Sequence, residues 1–124
     1  MADLTYALKG VVNGGTGSAA LALGRPAAGK TGTSESNASA WFSGYTPQLA
    51  ASVALFRDSA SESLNGIGGL NSVTGGTFPT KIWAAFMKGA LKDQPVMDFP
   101  APANIGGLDP VVMTSGGHQH MKTN

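Results

Sequence analysis

Three short runs, at residues 26–33, 40–45 and 49–56, follow one another with only brief polar connections between them. That spacing constrains the fold more than any other feature. Strands joined by a few residues return beside one another, because a parallel pair needs a crossover of about a dozen residues or more. The first run lacks helical periodicity and holds Gly29 and Gly32, as suits an extended segment that needs close backbone access. The second, AWFSGY, is rich in the aromatic residues that favour strands. The third, LAASVALF, is apolar enough to be buried on both faces. The polar run TSESNAS and the triplet Thr46-Pro47-Gln48 supply turn chemistry between them. The expectation is an antiparallel meander of three strands.

Helices flank it. Residues 3–12 place Leu4, Leu8, Val11 and Val12 at helical spacing, with Ala7 on the same stripe. Asp3 suits the start of this helix, and Asn13-Gly14-Gly15 its end. Thr16 is placed to cap a second short helix, residues 17–23, whose Ala19, Ala20 and Ala22 allow close packing before Gly24 stops it. Residues 57–78 form a Ser/Asn/Gly-rich loop, and its length favours a functional or mobile role. Pro79 opens a last helix with Ile82, Trp83, Phe86, Met87, Ala90 and Leu91 on its apolar face. Residues 1–95 therefore read as one α+β domain. Residues 96–124, with Pro100, Pro102, Pro110 and paired glycines, read as an extended tail.

The charge balance removes several functions. A net charge of +1, with scattered Lys and Arg, offers no stripe for nucleic acid or an anionic membrane. The absence of cysteine excludes disulfides and thiolate metal sites. His118-Gln119-His120 lies in the tail without further convergent ligands, so neither a metal nor a cofactor is expected. No stretch approaches the ~20 apolar residues of a spanning helix, and the N-terminus lacks the pattern of a signal peptide. If the chain works outside the cytoplasm, something beyond it must take it there.

Two chemistries compete for the residues around Lys30. Gly24-Arg25-Pro26-Ala27-Ala28-Gly29-Lys30-Thr31 fits G-x-x-x-x-G-K-[ST], the phosphate-cradling loop of nucleotide hydrolases, and Asp58 follows an apolar run. That loop needs a buried strand before it and a helix opening at its Lys and Thr. An Ala-rich segment precedes it here, and Gly32 and a polar turn follow, so the nucleotide reading is disfavoured. The alternative takes Lys30-Thr31-Gly32-Thr33 as a Lys-Thr-Gly strand at the edge of an acyl-transfer site. An edge strand can pair with an extended peptide, Gly32 leaves room for its approach, and Lys30 adds positive charge. Thr31 or Thr33 can then donate a hydroxyl hydrogen bond.

The neighbours of this motif decide between the two. RPAAGKTGTS at residues 25–34, followed by AWFSGYTP at residues 40–47, closely resembles the bifunctional (class A) penicillin-binding proteins. Thr5-Tyr6-Ala7-Leu8, Gly15-Thr16-Gly17, Gly75-Gly76 and PTKIWAAFM at residues 79–87 are similar to the same family. The resemblance spans about residues 3–100. It implies an α+β fold: an antiparallel sheet portion of about three strands with flanking helices, like the C-terminal half of the penicillin-binding and serine β-lactamase fold. It further implies a parent enzyme, anchored outside the bacterial cytoplasmic membrane, that cross-links peptidoglycan. The parent would be a D,D-transpeptidase acting through a serine acyl-enzyme on D-Ala-D-Ala stem peptides, with β-lactams acylating the same serine. The resemblance implies a catalytic role for Lys30 and substrate binding by Thr31, Gly32 and Thr33. Trp41, Phe42 and Tyr45 either flank the groove or lie in the core.

The family's nucleophile sits in a Ser-x-x-Lys, and this sequence contains none. Ser63-Leu64-Asn65 fits the family's second motif, Ser-x-Asn, but follows the Lys-Thr-Gly strand instead of preceding it, as a loop coincidence would. Ser39 stands where relatives often carry Asp. The chain alone is therefore expected to be inactive and to form no covalent penicillin adduct. A non-enzymatic fragment, or a module completing another polypeptide, is the other reading. In the family's five-stranded sheet the N-terminal strands lie against the last strand, here residues 49–56. That edge would pair with the N-terminal part of the domain or with a second copy, or leave the chain marginally stable.

Overall fold

The computed structural model of the chain describes residues 2–102. Helix α1 (Ala2–Gly14) leads into a 3₁₀ helix (Ser18–Leu23) and strand β1 (Ala28–Thr33). Strands β2 (Ser39–Tyr45) and β3 (Ala50–Phe56) follow, and helix α2 (Phe78–Ala90) comes after the long loop. The sheet has the order β1-β2-β3 with both pairs antiparallel, the meander expected from the short connections. Strand β1 begins at Ala28, after Pro26, which has no N–H to give a ladder. The first turn is closed by Ser34 N–H on Ser39 O (2.9 Å) and Ser39 N–H on Ser34 Oγ (2.7 Å). It carries Ser36 and Asn37 at φ 57° and 54°, a left-handed region that Asn tolerates better than most residues. The second turn is closed by Thr46 N–H on Leu49 O at 2.9 Å.

Alternation along β2 separates the two faces of the sheet. Phe42 and Gly44 are buried under the helices and Ala40 under the loop that follows β3, while Trp41 and Ser43 face outward. Phe42 meets Trp83 of α2 edge-on, with ring centroids 5.1 Å apart. Gly29 and Gly44 lie opposite each other in register and form the notch that admits these rings. A Cβ on Gly29 would stand 2.7 Å from Phe42 Cζ, and one on Gly44 2.7 Å from Phe42 Cε1 and 2.9 Å from Trp83 Cζ2. The Trp83 indole N–H donates to Ala51 O (3.1 Å) and Gly44 O (3.3 Å), fastening α2 across β2 and β3. Val12, Ala20, Leu23, Ala27, Met87 and Leu91 complete this core.

Residues 57–78 build a second small core. Leu64 and Val73 are fully buried with Ala40, and Leu55, Ile67, Leu70 and Phe78 pack around them. Leu64 N–H donates to Asn37 O, and the Asn37 amide reaches Ser72 Oγ (2.7 Å) and Val73 O (3.3 Å). The loop is thus tied to the β1–β2 turn along its length.

Four expectations need correction. Strand β3 is not buried on both faces: Ala51 and Val53 pack on the core, but Ala50, Ser52 and Phe56 on the other face are exposed, Phe56 by 66%. Helix α1 buries Thr5 and Val12, leaving Leu4 exposed, because Thr5 Oγ1 hydrogen-bonds the Tyr45 hydroxyl at 2.7 Å. Helix α2 buries Thr80, Trp83, Ala84 and Met87, and leaves Ile82 (48%) and Phe86 (55%) exposed. Thr16 does not cap the 3₁₀ helix, whose N-cap is Gly17 without a side-chain bond.

The chain after α2 is held close to the sheet. Arg25 donates to Leu91 O (3.0 Å), Gln94 O (3.3 Å) and Pro95 O (3.3 Å), and the Gln48 amide donates to Pro95 O (2.6 Å). Asp98 pairs with Lys9 of α1 at 3.5 Å, and Phe99 meets Tyr45 edge-on at 5.5 Å. Pro110, His118 and His120 lie outside the described residues.

Candidate active-site strand

Strand β1 occupies one edge of the sheet and, among the described strands, pairs only with β2. Alternation divides the four motif residues between two faces. Lys30 lies opposite Ser43 and Gly32 opposite Trp41, both on the outward face. Thr31 lies opposite Phe42 and Thr33 opposite Ala40, on the other face, where Thr31 is half-buried and Thr33 exposed. The structure therefore keeps the four residues contiguous along one strand, with the ammonium on one side and the two hydroxyls on the other.

Each group has a defined partner. Lys30 Nζ is exposed and donates to Thr31 O at 3.0 Å. Thr31 Oγ1 lies 2.7 Å from Thr16 Oγ1. Thr33 Oγ1 accepts the N–H of Gly75 at 3.1 Å. Gly75 also lies tight against β1, since a Cβ there would fall 2.7 Å from Gly32 O and 2.8 Å from Gly32 N. Thr16 and Gly75 are the residues that reasoning on the motif alone missed. Their signal was the pair of glycine-flanked segments, Gly15-Thr16-Gly17 and Gly75-Gly76, far apart in sequence but both meeting β1.

Gly32 differs from the other sheet glycines. A Cβ built there would meet only Trp41 Cβ at 3.6 Å, an ordinary contact, and its φ is not left-handed. Packing among the described residues does not require a glycine at that position. Beside it the outward face carries a shallow hollow of about 420 Å³ lined by Leu8, Lys30, Ser43, Tyr45, Ala50 and Ser52. Ser43 Oγ and Ser52 Oγ stand 2.6 Å apart at its floor.

The competing motifs lose their footing in this geometry. Gly29, Lys30 and Thr31 pair with Gly44, Ser43 and Phe42 in the ladder, so their backbone does not wrap a phosphate and no helix opens at Lys30. Ser63-Leu64-Asn65 serves the loop: Leu64 is buried, Ser63 O accepts from Arg57 Nε (2.8 Å), and Ser63 Oγ accepts from Asn65 N–H (3.1 Å).

Comparisons with known proteins point to one family. No family model matches the chain. Penicillin-binding protein 1A of Pseudomonas aeruginosa is 40% identical over 111 residues, covering 87% of this chain and 13% of its own length. Penicillin-binding protein 1A of Rickettsia typhi is 36% identical over 103 residues, covering 83% of this chain and 12% of its own length. Among solved structures, the penicillin-binding protein PonA1 from Mycobacterium tuberculosis matches with a TM-score of 0.76 and 35% identity, over 86% of this chain and 28% of that one. The same protein in complex with penicillin V gives the same TM-score of 0.76. Penicillin-binding protein 1A from Haemophilus influenzae matches with a TM-score of 0.62 and 27% identity, over 81% of this chain and 16% of that one. The three-stranded antiparallel sheet with its helices is thus a portion of the penicillin-binding transpeptidase fold. Over most of its length the chain is homologous to penicillin-binding protein 1A and corresponds to a C-terminal piece of it. It spans only 12–13% of the length of these curated relatives.

Proposed function

We propose that the chain forms one wall of the acyl-transfer site of a peptidoglycan D,D-transpeptidase, with the nucleophilic serine supplied from outside these residues. One observation carries the reading: β1 is an edge strand among the described strands, bearing Lys30-Thr31-Gly32-Thr33, and its Gly32 answers to no packing demand from the described residues. A stem peptide ending in D-Ala-D-Ala lies along such an edge through its backbone, as extended peptides do on exposed strands. Lys30 then brings positive charge to the substrate carboxylate and the proton-transfer network, and Thr31 and Thr33 donate hydroxyl hydrogen bonds.

The reaction is a two-step acyl transfer. The serine oxygen attacks the carbonyl carbon of the penultimate D-alanine and gives its proton to a base. The C–N bond breaks, and D-alanine leaves with a proton on its nitrogen. An amine of a second peptide attacks the ester, forms the new amide, and returns a proton to the serine. A β-lactam enters the first step as a substrate mimic. The parent acts outside the cytoplasm from a membrane anchor, and no helix among the described residues is long and apolar enough to be that anchor. The free edge of β3 pairs with a strand from the rest of the domain or with a second copy, so the chain completes another polypeptide.

Intact-mass measurement after incubation with penicillin V tests this. The chain alone gives no adduct. Mixed with a transpeptidase domain truncated before its own Lys-Thr-Gly strand, it restores an adduct on the partner's serine, and Lys30→Ala abolishes the restoration. An adduct on a serine of the isolated chain would falsify the reading.

A further inference from the structure

We infer that Thr16 is a positioning residue that sets the direction of the Thr31 hydroxyl, so that both hydroxyls of β1 present their protons as donors. The inference rests on reading β1 as a substrate-binding strand.

A threonine hydroxyl has one proton to give and two lone pairs to accept with. A backbone N–H can only donate. Thr33 Oγ1 therefore accepts from Gly75 N–H at 3.1 Å and keeps its own proton free. Thr31 Oγ1 stands 2.7 Å from Thr16 Oγ1, so one of the two hydroxyls donates to the other. With Thr16 as donor, Thr31 matches Thr33: each takes one hydrogen bond from the protein and has its own proton left for an acceptor on the ligand. The acceptor class that fits two such donors on an extended strand is an anionic oxygen, as in a carboxylate.

The turn carrying Thr16 is held far more tightly than one exposed hydroxyl contact warrants. Val11 O accepts from both Gly15 N–H (3.1 Å) and Gly17 N–H (3.0 Å). A Cβ on Gly15 would lie 2.9 Å from Val11 Cα, and one on Gly17 3.0 Å from Phe42 Cε2. A Cβ on Gly76 would run into the Thr16 carbonyl. The Val11 backbone closes on Gly15, the Phe42 ring on Gly17 and the Gly76 backbone on the Thr16 carbonyl, and Thr16 bears the sole side chain of the Gly15–Gly17 turn. An exposed hydroxyl pair adds little to stability, whereas ordering glycines is the most expensive backbone restriction available. Aiming the Thr31 hydroxyl accounts for that arrangement where stability does not.

The test compares Thr16→Val and Thr16→Ser with the unaltered chain. Three-bond couplings to the Thr31 γ-methyl report its χ1 rotamer. The unaltered chain and Thr16→Ser are expected to show one rotamer and Thr16→Val an average, with the same urea midpoint in all three. In a titration with penicillin V followed at the Thr31 and Gly32 amides, Thr16→Val is expected to bind about fivefold more weakly and Thr16→Ser within twofold of the original. A single Thr31 rotamer in Thr16→Val overturns the inference, as does averaging in Thr16→Ser, undiminished binding by Thr16→Val, or failure of Thr16→Val to fold. If the unaltered chain does not bind penicillin V even when mixed with the truncated transpeptidase domain, the substrate-strand reading fails, and the couplings still decide whether Thr16 sets the rotamer.

Discussion

The glycines of the sheet divide by what a side chain would touch. At Gly44 a methyl group would enter the space between Phe42 and Trp83, and the edge-on ring pair would have to move. Gly44→Ala is expected to lower stability by about 1–3 kcal/mol, read as a shift in urea midpoint at constant m. Gly32→Ala is expected to change stability by no more than about 0.5 kcal/mol, since its Cβ meets only Trp41 at 3.6 Å. The same substitution weakens any ligand that lies along β1. The family resemblance is what singles out Gly32 in the sequence. Gly29 and Gly44 were not legible as a pair, since their need arises from two aromatic rings brought together only by the register of β1 on β2 and the docking of α2.

Strand existence was readable from connection length, and strand environment was not. Residues 49–56 look fit for double burial, yet only Ala51, Val53 and Leu55 pack on the cores, Ala50, Ser52 and Phe56 are exposed, and no described strand lies beyond β3. Helix faces fail for the same reason: Ile82 and Phe86 continue the apolar stripe of α2 past the surface this chain covers. A periodicity records every face that will be apolar, whatever ends up against it. Seven residues of β3, with neither charge nor proline, make an edge prone to pair with another strand. The chain is therefore expected to self-associate through β3, giving a melting midpoint that rises with concentration. Phe56→Lys lowers the weight-average mass in sedimentation. A sharp melt independent of concentration counts against this.

At the scale of the molecule, the segment entering β1 and the segment leaving α2 are drawn together. Arg25 places one guanidinium on the carbonyls of Leu91, Gln94 and Pro95, where the C-terminal end of a helix favours positive charge. Arg25→Ala is expected to lower stability by about 1–3 kcal/mol and to speed amide exchange at the end of α2. Arg25→Lys recovers less than half, because an ammonium cannot span three carbonyls with a fixed fork. The two tryptophans of the chain occupy opposite ends of the exposure scale: Trp83 is wholly buried, and Trp41 is 45% exposed directly across from Gly32. Their light emission should separate accordingly. Trp83 emits in the blue and resists acrylamide quenching, while Trp41 emits further to the red and is quenched freely. Unfolding would shift the blue component, and a ligand settling beside β1 would shield the red one, so one spectrum distinguishes loss of the fold from occupancy of the strand.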